Sequence, residues 1–480
     1  MKHVILYRLL FLCSIFFLFL FDSCAALKKR NYQPEVMTSA PLTSSIETPT
    51  FIQGNWPSYH WWTTFEDEQL SEMMEKAIEE NPDLLAAVKR VEGAKAQAEK
   101  MRAPLLPNLQ GGFTDDYQHL SKDELVRYPP SVVPAVINEI HLSLNFDYEI
   151  DLFGKNRNQY RAALDDARAQ AAEMSQSLLM ITTSLAEAYI NYGAQLMEQR
   201  ISQDLVDIQK LYVELTERRF ENGLEDQRAV DHAEVQLLEA KEKLLEKTQN
   251  VEVIKSQLKI LMGLGPDDPY EIDPPTIAFE KPFPIPEDLP LNLLARRPDL
   301  MAEVWKVESA AHLIKAAKAA FFPNINLKAF AGLQSLHWHN LFSLDSFAGS
   351  ITPAINLPLY TGGELTGALN QQYANYDAAV YDYNALILKA AKEVSDQIVI
   401  LEKTTEQAQL ENKAFLKVME ISELTLKRYE NGIDDYLTVL SRQIDVINEA
   451  FVEVKIQNNR YLSVLMLIKS LGGGYEPIPN

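Results

Sequence analysis

The chain is poor in several things that most exported proteins of its size use. It has 480 residues but only two cysteines, Cys13 and Cys24. Cys13 lies inside a leader, so the mature chain has no pair with which to close an internal disulfide, even in an oxidising compartment. After the leader there is no run of 18 apolar residues. A membrane crossing therefore cannot use a helix and must use strands. Basic residues are in deficit: 45 Lys and Arg against 67 Asp and Glu give a formal charge of −22. With no Lys/Arg-rich patch to offset that charge, nucleic acid is excluded as a partner. No phosphate-binding glycine loop, nucleophile elbow or metal-ligand cluster is present. His337-Trp338-His339 has two imidazoles at alternate positions, which is not a metal site by itself. No cofactor, metal or catalytic residue is expected.

What is present begins with the leader. Residues 1–23 read as a secretory signal, with Lys2 and Arg8 ahead of an apolar stretch from Leu9 to Phe21. Ser23-Cys24-Ala25 follows, which places Cys24 where an exported lipoprotein carries its acylated cysteine. Residues 24–60, rich in Pro, Ser and Thr, read as an extended tail.

The body is duplicated. Pro82 to Asn108 recurs as Pro298 to Asn324 at a shift of 216, with 11 of 27 positions identical. Arg219-Phe220-Glu221-Asn222-Gly223 recurs as Arg428-Tyr429-Glu430-Asn431-Gly432, at a shift of 209. A period near 210 is too long for a solenoid and indicates two equivalent halves. The divisions expected are a first repeat over 61–264, a proline-rich connector over 265–290, a second repeat over 291–472 and a short tail over 473–480.

Each half carries strand signals followed by long helical ones. From Ile140 to Asp151 apolar and polar residues alternate without a break, as Ile140, Leu142, Leu144, Phe146, Tyr148 and Ile150 against His141, Ser143, Asn145, Asp147, Glu149 and Asp151. Such a strand has one apolar and one polar face. It is also long enough to cross a bilayer when tilted, since that takes about 9–11 residues. Phe347 to Leu359 is its counterpart, and Leu109 to Tyr117 and Ile325 to Leu333 are weaker partners. Four strands cannot close a barrel, and open edges are not tolerated in lipid. Three copies would supply about twelve strands, within the known range. After each hairpin a coiled-coil rhythm begins, for example Leu178, Ile181, Leu185, Ala188 and Tyr192. From Lys155 to Leu215 it amounts to roughly 90 Å as one helix. Asn-Gly at 222–223 and 431–432 turns the chain back.

These elements resemble the outer membrane factors of tripartite efflux systems, the TolC-like channels, and within them the NodT-type lipoproteins. The residues that carry the likeness are Glu149 to Gly154, Pro358 to Gly363, Arg428 to Gly432 and Leu471 to Tyr475. The resemblance implies a mainly helical fold with a membrane β-barrel portion, two barrel strands plus long coiled helices per half, and a 12-stranded barrel in a homotrimer. It also implies an outer-membrane location, lipid-anchored, with the helical tunnel in the periplasm. The implied role is a passive exit duct for small molecules such as drugs or metals, served by an inner-membrane pump through a periplasmic adaptor. The hairpin tips at Asn222, Gly223 and Leu224 and at Asn431, Gly432 and Ile433 resemble the adaptor-contacting end. Leu437 resembles a constricting apolar position. Ser441 stands where related channels often carry an aspartate, and Ile444 where they carry an arginine. Asp434 and Asp435 are gate candidates closer to the turn; they are equally readable as helix-start acids that complement the macrodipole. Two other readings stand beside this one: the exit duct of a protein-secretion machine, and a periplasmic coiled-coil scaffold that forms no channel.

Overall fold

A computed structural model describes residues 33–39, 53–121, 134–276, 285–286 and 295–476. The leader, Cys24, most of the 24–60 tail, parts of the connector and residues 477–480 lie outside the described residues. From Pro82 and again from Pro298 the elements follow in the same order. Helices α1 (Glu68–Glu80) and α2 (Pro82–Arg102) precede strands β1 (Asn108–His119) and β2 (Val136–Ile150). Then come α3 (Lys155–Glu221) and α4 (Gln227–Leu261). The second half has α5 (Pro298–Ala319), β3 (Asn324–Ser335), β4 (Phe347–Asn356), α6 (Glu364–Glu430) and α7 (Tyr436–Ser470). The expected strands and long helices are all present, with ends moved by a few residues. No described helix is long and apolar enough to cross a membrane.

The chain divides into two compact units. One comprises Met1–Val36, Val91–Gln170 and Glu303–Tyr383, and contains the sheet. Its four strands are antiparallel throughout, in the order β1-β2-β3-β4. Near the sheet, Asp165 on α3 is buried with His312 of α5 at 3.6 Å, and its Oδ1 accepts from Arg168 at 2.9 Å. Arg168 also lies 4.7 Å from the Trp305 ring.

The second unit comprises Met37–Arg90, Ala171–Ala302 and Asn384–Asn480. Asp67 is its polar hub. It caps α1 by accepting from the Leu70 N–H at 2.8 Å, and it accepts from the Tyr189 hydroxyl at 3.0 Å and the Thr276 N–H at 2.8 Å. The start of the connector is thereby tied to α1 and α3, with Tyr192 donating to the Ile272 carbonyl at 3.0 Å. Burial pushes the Tyr189 phenol up, so it stays a donor.

The halves use matching ties at matching places. Asn81 caps α2 by accepting from the Asp83 and Leu84 N–H groups, and its amide donates to the Leu261 carbonyl at 2.9 Å. In the second half Arg297 precedes the same Pro-Asp pair and donates to the Ser470 carbonyl at 3.1 Å. The long helices end alike as well. At Gly223 and Gly432 the glycine N–H returns three residues and the next N–H five, to Phe220 and Arg219 in one tip and to Tyr429 and Arg428 in the other. Both glycines have left-handed backbone, φ +71 and +75, as this cap requires.

Candidate functional site

The sheet is the first functional surface, and its register defines it. Residues opposite one another in an antiparallel pair share a face. One face carries the rows Ile150–Ile325–Ile355, Tyr148–Leu327–Pro353, Leu109–Phe146–Ala329–Ile351, Gly111–Leu144–Ala331–Gly349 and Phe113–Leu142–Leu333–Phe347. Every residue in them is apolar, glycine or tyrosine. The face lies open: Ile351 is 76% and Leu109 60% exposed. Rows recur every two residues, so this band runs roughly 27 Å along the strands. Tilted by about 40°, it gives roughly 20 Å of height, close to the apolar belt of an outer-membrane barrel.

The opposite face carries Asn108–Asp147–Lys328–Thr352, Gln110–Asn145–Phe330–Ser350 and Thr114–His141–Gln334. It is polar apart from Phe330, Ile137 at its far end and the small residues at 112, 332, 348 and 354. A sheet apolar on one side and hydrated on the other fits a wall between lipid and water. Asp147, Glu149 and Asp151, at the end of β2 and just beyond it, each meet a cation. Asp147 is 3.7 Å from Lys328, Glu149 is 2.7 Å from Lys155, and Asp151 is 4.0 Å from Arg157. Asp151 also accepts from the Asn156 and Arg157 N–H groups, so it caps α3. The acid charge of this zone is therefore largely offset. Strands β1 and β4 each pair on one side only among the described residues. Their outer edges hold a row of open backbone donors and acceptors.

The hairpin tips are the second surface. Asn222 and Asn431 lend their side-chain amides to the Arg218 and Lys427 carbonyls at 2.6 and 2.7 Å. Leu224 and Ile433 are exposed, at 66% and 62%. Asp435 is the N-cap of α7, accepting from the Thr438 N–H at 2.9 Å and its hydroxyl at 2.7 Å. Asp434 accepts from Arg428 at 2.7 Å. The first tip repeats this pattern, with Asp226 as the cap of α4 and Glu225 paired to Arg219 at 3.1 Å. One contact has no counterpart among the described residues of the same chain: Arg219 also reaches Asp435 at 3.4 Å and so ties one tip to the other. The Arg428 hydrogen bond holds the Asp434 carboxyl below its usual range, and the Thr438 hydrogen bonds, then Arg219, do the same for Asp435. Sequence reading found the two acids and missed both arginine partners. Leu437 and Ser441 follow on the first turns of α7, half-buried.

The His337 and His339 rings stack at 5.5 Å in the β3–β4 loop. Among the described residues no group of three His, Cys, Asp or Glu is placed to hold a metal.

A two-faced sheet with unpaired edges, joined to paired helices of 67 and 35 residues in each half, defines a membrane channel protein of TolC-like build. Comparison with known proteins gives the same class. A profile of the family "Outer membrane efflux protein" matches residues 73–264 and 289–473. The chain belongs to this family, and its place is the outer membrane. It is similar to the multidrug resistance outer membrane protein MdtP of Escherichia coli K12, with 25% identity over 476 residues, 98% of this chain and 97% of that protein. It is also similar to MdtQ of Escherichia coli O6:H1, with 26% identity over 470 residues, 96% and 97% of the two chains. Among solved structures, VceC of Vibrio cholerae shares 31% identity with a TM-score of 0.80, covering 88% of this chain and all of that one. CmeC of Campylobacter jejuni has a TM-score of 0.85 over 95% and 96% of the chains; at 23% identity it bears on the fold alone.

Proposed function

We propose that three copies of this chain pool their sheets into a closed twelve-stranded barrel and act as a passive exit duct for small molecules, in the manner of a multidrug efflux channel. The observation that carries this reading is the four-stranded sheet, apolar on one face and polar on the other, with both edges unpaired. Each open edge would cost several kcal/mol per unsatisfied group in lipid, roughly, and pairing β4 of one copy with β1 of the next removes that cost. The relatives named for multidrug resistance support small-molecule cargo. An inner-membrane pump supplies the energy through a periplasmic adaptor, which contacts the tips at Asn222, Gly223 and Leu224 and at Asn431, Gly432 and Ile433. Mass measurement of the native particle in mild detergent tests the assembly: three copies are expected, and a stable monomer overturns it.

Acylation of Cys24 belongs to the same reading. Residues 33–39 lie along α6, with Gln33 donating to the Tyr376 hydroxyl at 3.3 Å and the Met37 N–H to Asn384 at 2.9 Å. Tyr376 is twelve residues into α6, roughly 18 Å from its start beside the sheet. The nine residues back to Cys24 span up to about 30 Å when extended, enough to return to the membrane level. Intact-mass analysis should find Cys24 as an acylated first residue. A free amino terminus at Ala25 or beyond removes the anchor from this reading.

A further inference from the structure

From Lys155 to Gly263 and from Glu364 to Gly472 the two halves run in step at a constant shift of 209. Any contact made by one half can therefore be carried to the other. Within the chain α7 rests on the α3–α4 pair: Ile447, with Ile444 and Phe451, packs with Leu205, Val206 and Ala240. The residues at the same places on α4 are Val235, Leu238 and Glu242. Val235 is 49% and Leu238 62% exposed, and Leu245, the counterpart of half-buried Val454, is 70% exposed. The face that is covered on α7 is thus apolar and open on α4. The receiving side is open too, since Leu410, the counterpart of Ile201 on that cluster, is 66% exposed. Only a second copy presents both surfaces in the orientation that the chain already uses internally.

The two seams differ in chemistry. Where the seam inside the chain has buried Ser202 and Ala240 and half-buried Leu244, the second half has Glu411, Glu449 and Glu453. Glu411 on α6 faces Glu449 on α7, with Glu453 close by. Its Oε1 is buried and has no partner. We propose that Val235, Leu238 and Leu245 of α4 dock on the α6–α7 face of a second copy, as α7 docks on α3–α4 within one chain, and that Glu411, Glu449 and Glu453 make this seam between copies dependent on protonation. The inference rests on the assembly of copies proposed above.

The charged groups at the seam are Glu411 and Lys417 from α6, with Lys417 in the place of Ile208 and paired to Glu420 at 2.6 Å, Glu449 and Glu453 from α7, and Glu242 of the arriving α4 in the place of Phe451. Lys241 stands beside Glu242, while Lys243 is held over the Phe451 ring of its own chain at 3.4 Å. Carboxylates outnumber the available cation. Burial, then Glu449 and Glu453, already pushes the Glu411 carboxyl up in the single chain, and the arriving α4 covers it further and brings Glu242 beside it, both of which raise it again on assembly. A group whose value is raised in the assembled state stabilises it below that value and ceases to as pH rises through it. The seam therefore tightens in acid and loosens toward neutral and alkaline pH.

The test uses the full-length protein in detergent. Leu238→Cys combined with Ala414→Cys carries the contact between Ile447 and Leu205 to the neighbouring copy. Mild oxidation should give linked dimers and trimers on a denaturing gel, while each single variant stays at the background of the wild type. A three-copy particle that never links overturns this seam and leaves the assembly standing. A monomeric particle overturns the assembly itself. For the acid part, the half-time of subunit dissociation in mild denaturant should lengthen about five-fold or more between about pH 8 and about pH 5.5. In Glu411→Gln/Glu449→Gln it should be long at both. An equal pH response in wild type and variant overturns the role of the glutamates.

Discussion

The tip carboxylates offer a perturbation whose outcome differs between the sequence reading and the structure. Two acids per chain in three copies would gather six carboxylates around one axis, and taken alone they would select cations. In the structure Arg428 faces Asp434 and Arg219 faces Asp435, so the tip is close to balanced. Replacing both by asparagine removes six negative charges and leaves Arg428 of each copy without its partner, while Arg219 keeps Glu225 at 3.1 Å. Asparagine keeps the cap of α7, so the tip geometry survives. One unit charge about 10 Å from a permeating ion in a water-like medium is worth about 0.4 kcal/mol. Screening over about 10 Å at 0.1 M salt reduces that to about 0.15 kcal/mol. Six such charges sum to about 0.9 kcal/mol, or about four-fold on each ion with opposite sign. The cation-to-anion permeability ratio of Asp434→Asn/Asp435→Asn should therefore fall about twenty-fold, to anion preference. Reversal potentials in planar bilayers under a KCl gradient measure it. Wild-type selectivity should stay flat as pH falls through the usual carboxylate range, because both groups are held below it. An unchanged reversal potential in the variant would refute the reasoning. The two acids would then be helix-start residues off the conduction path, and the constriction would belong to Leu437 and its apolar neighbours.

Two further perturbations separate effects that are otherwise confounded. Gly223 and Gly474 both have left-handed backbone, but a Cβ on Gly223 meets nothing, while one on Gly474 falls 2.0 Å from the Ser58 carbonyl oxygen. Gly223→Ala should cost about 1–2 kcal/mol from backbone conformation alone, and Gly474→Ala about 2–5 kcal/mol with the added displacement; unfolding in denaturant with equal losses would count against the packing argument. On the sheet, Leu144→Lys places a charge in the middle of the apolar band and should cost about 2–4 kcal/mol of membrane stability, while Ser143→Lys on the polar face should cost little. Equal yields of membrane-assembled protein from the two variants would mean that the faces have been assigned wrongly.

What the sequence made legible was periodic, and what it hid was long-range. The alternation from Ile140 to Ile150 is unbroken, so β2 could be read directly. Strand β1 was weaker because Gly111, Gly112, Asp115 and Asp116 interrupt the pattern. Its apolar face emerges only when Leu109 and Phe113 are lined up with Phe146 and Leu142 across the pair. The helix turns were readable because Asn-Gly needs little context. The charge balance at the tip was not, since Arg219 and Asp435 are 216 residues apart and meet only when the two hairpins pack side by side. The same holds for Asp67, whose partners Tyr189 and Thr276 are 122 and 209 residues away. The likeness of Ser441 and Leu437 to positions in related channels indicated where to look on α7, but the ion pairs lie one turn closer to the tip.

The duplication explains why such pairings can change while the frame does not. Asn81 and Arg297 bind the equivalent carbonyls of Leu261 and Ser470 with different side chains, so the tie is preserved and its chemistry is not. Arg297 gains two carboxylates in the process, Asp299 at 2.7 Å and Glu393 at 2.8 Å, for which Asn81 has no equivalent charge. A buried guanidinium needs such partners, because an unpaired one would bear the full cost of leaving water. Each half can thus be specialised one side chain at a time, provided that its caps and helix lengths stay in register. An insertion of one residue in α3 alone would rotate its remaining contacts by about 100° and break every correspondence beyond it. The equal lengths of α3 and α6, and of α4 and α7, are accordingly the constraint under which the two halves diverge. The residues that differ between them at equivalent places, such as Ala240 and Glu449, are where the two halves perform different tasks.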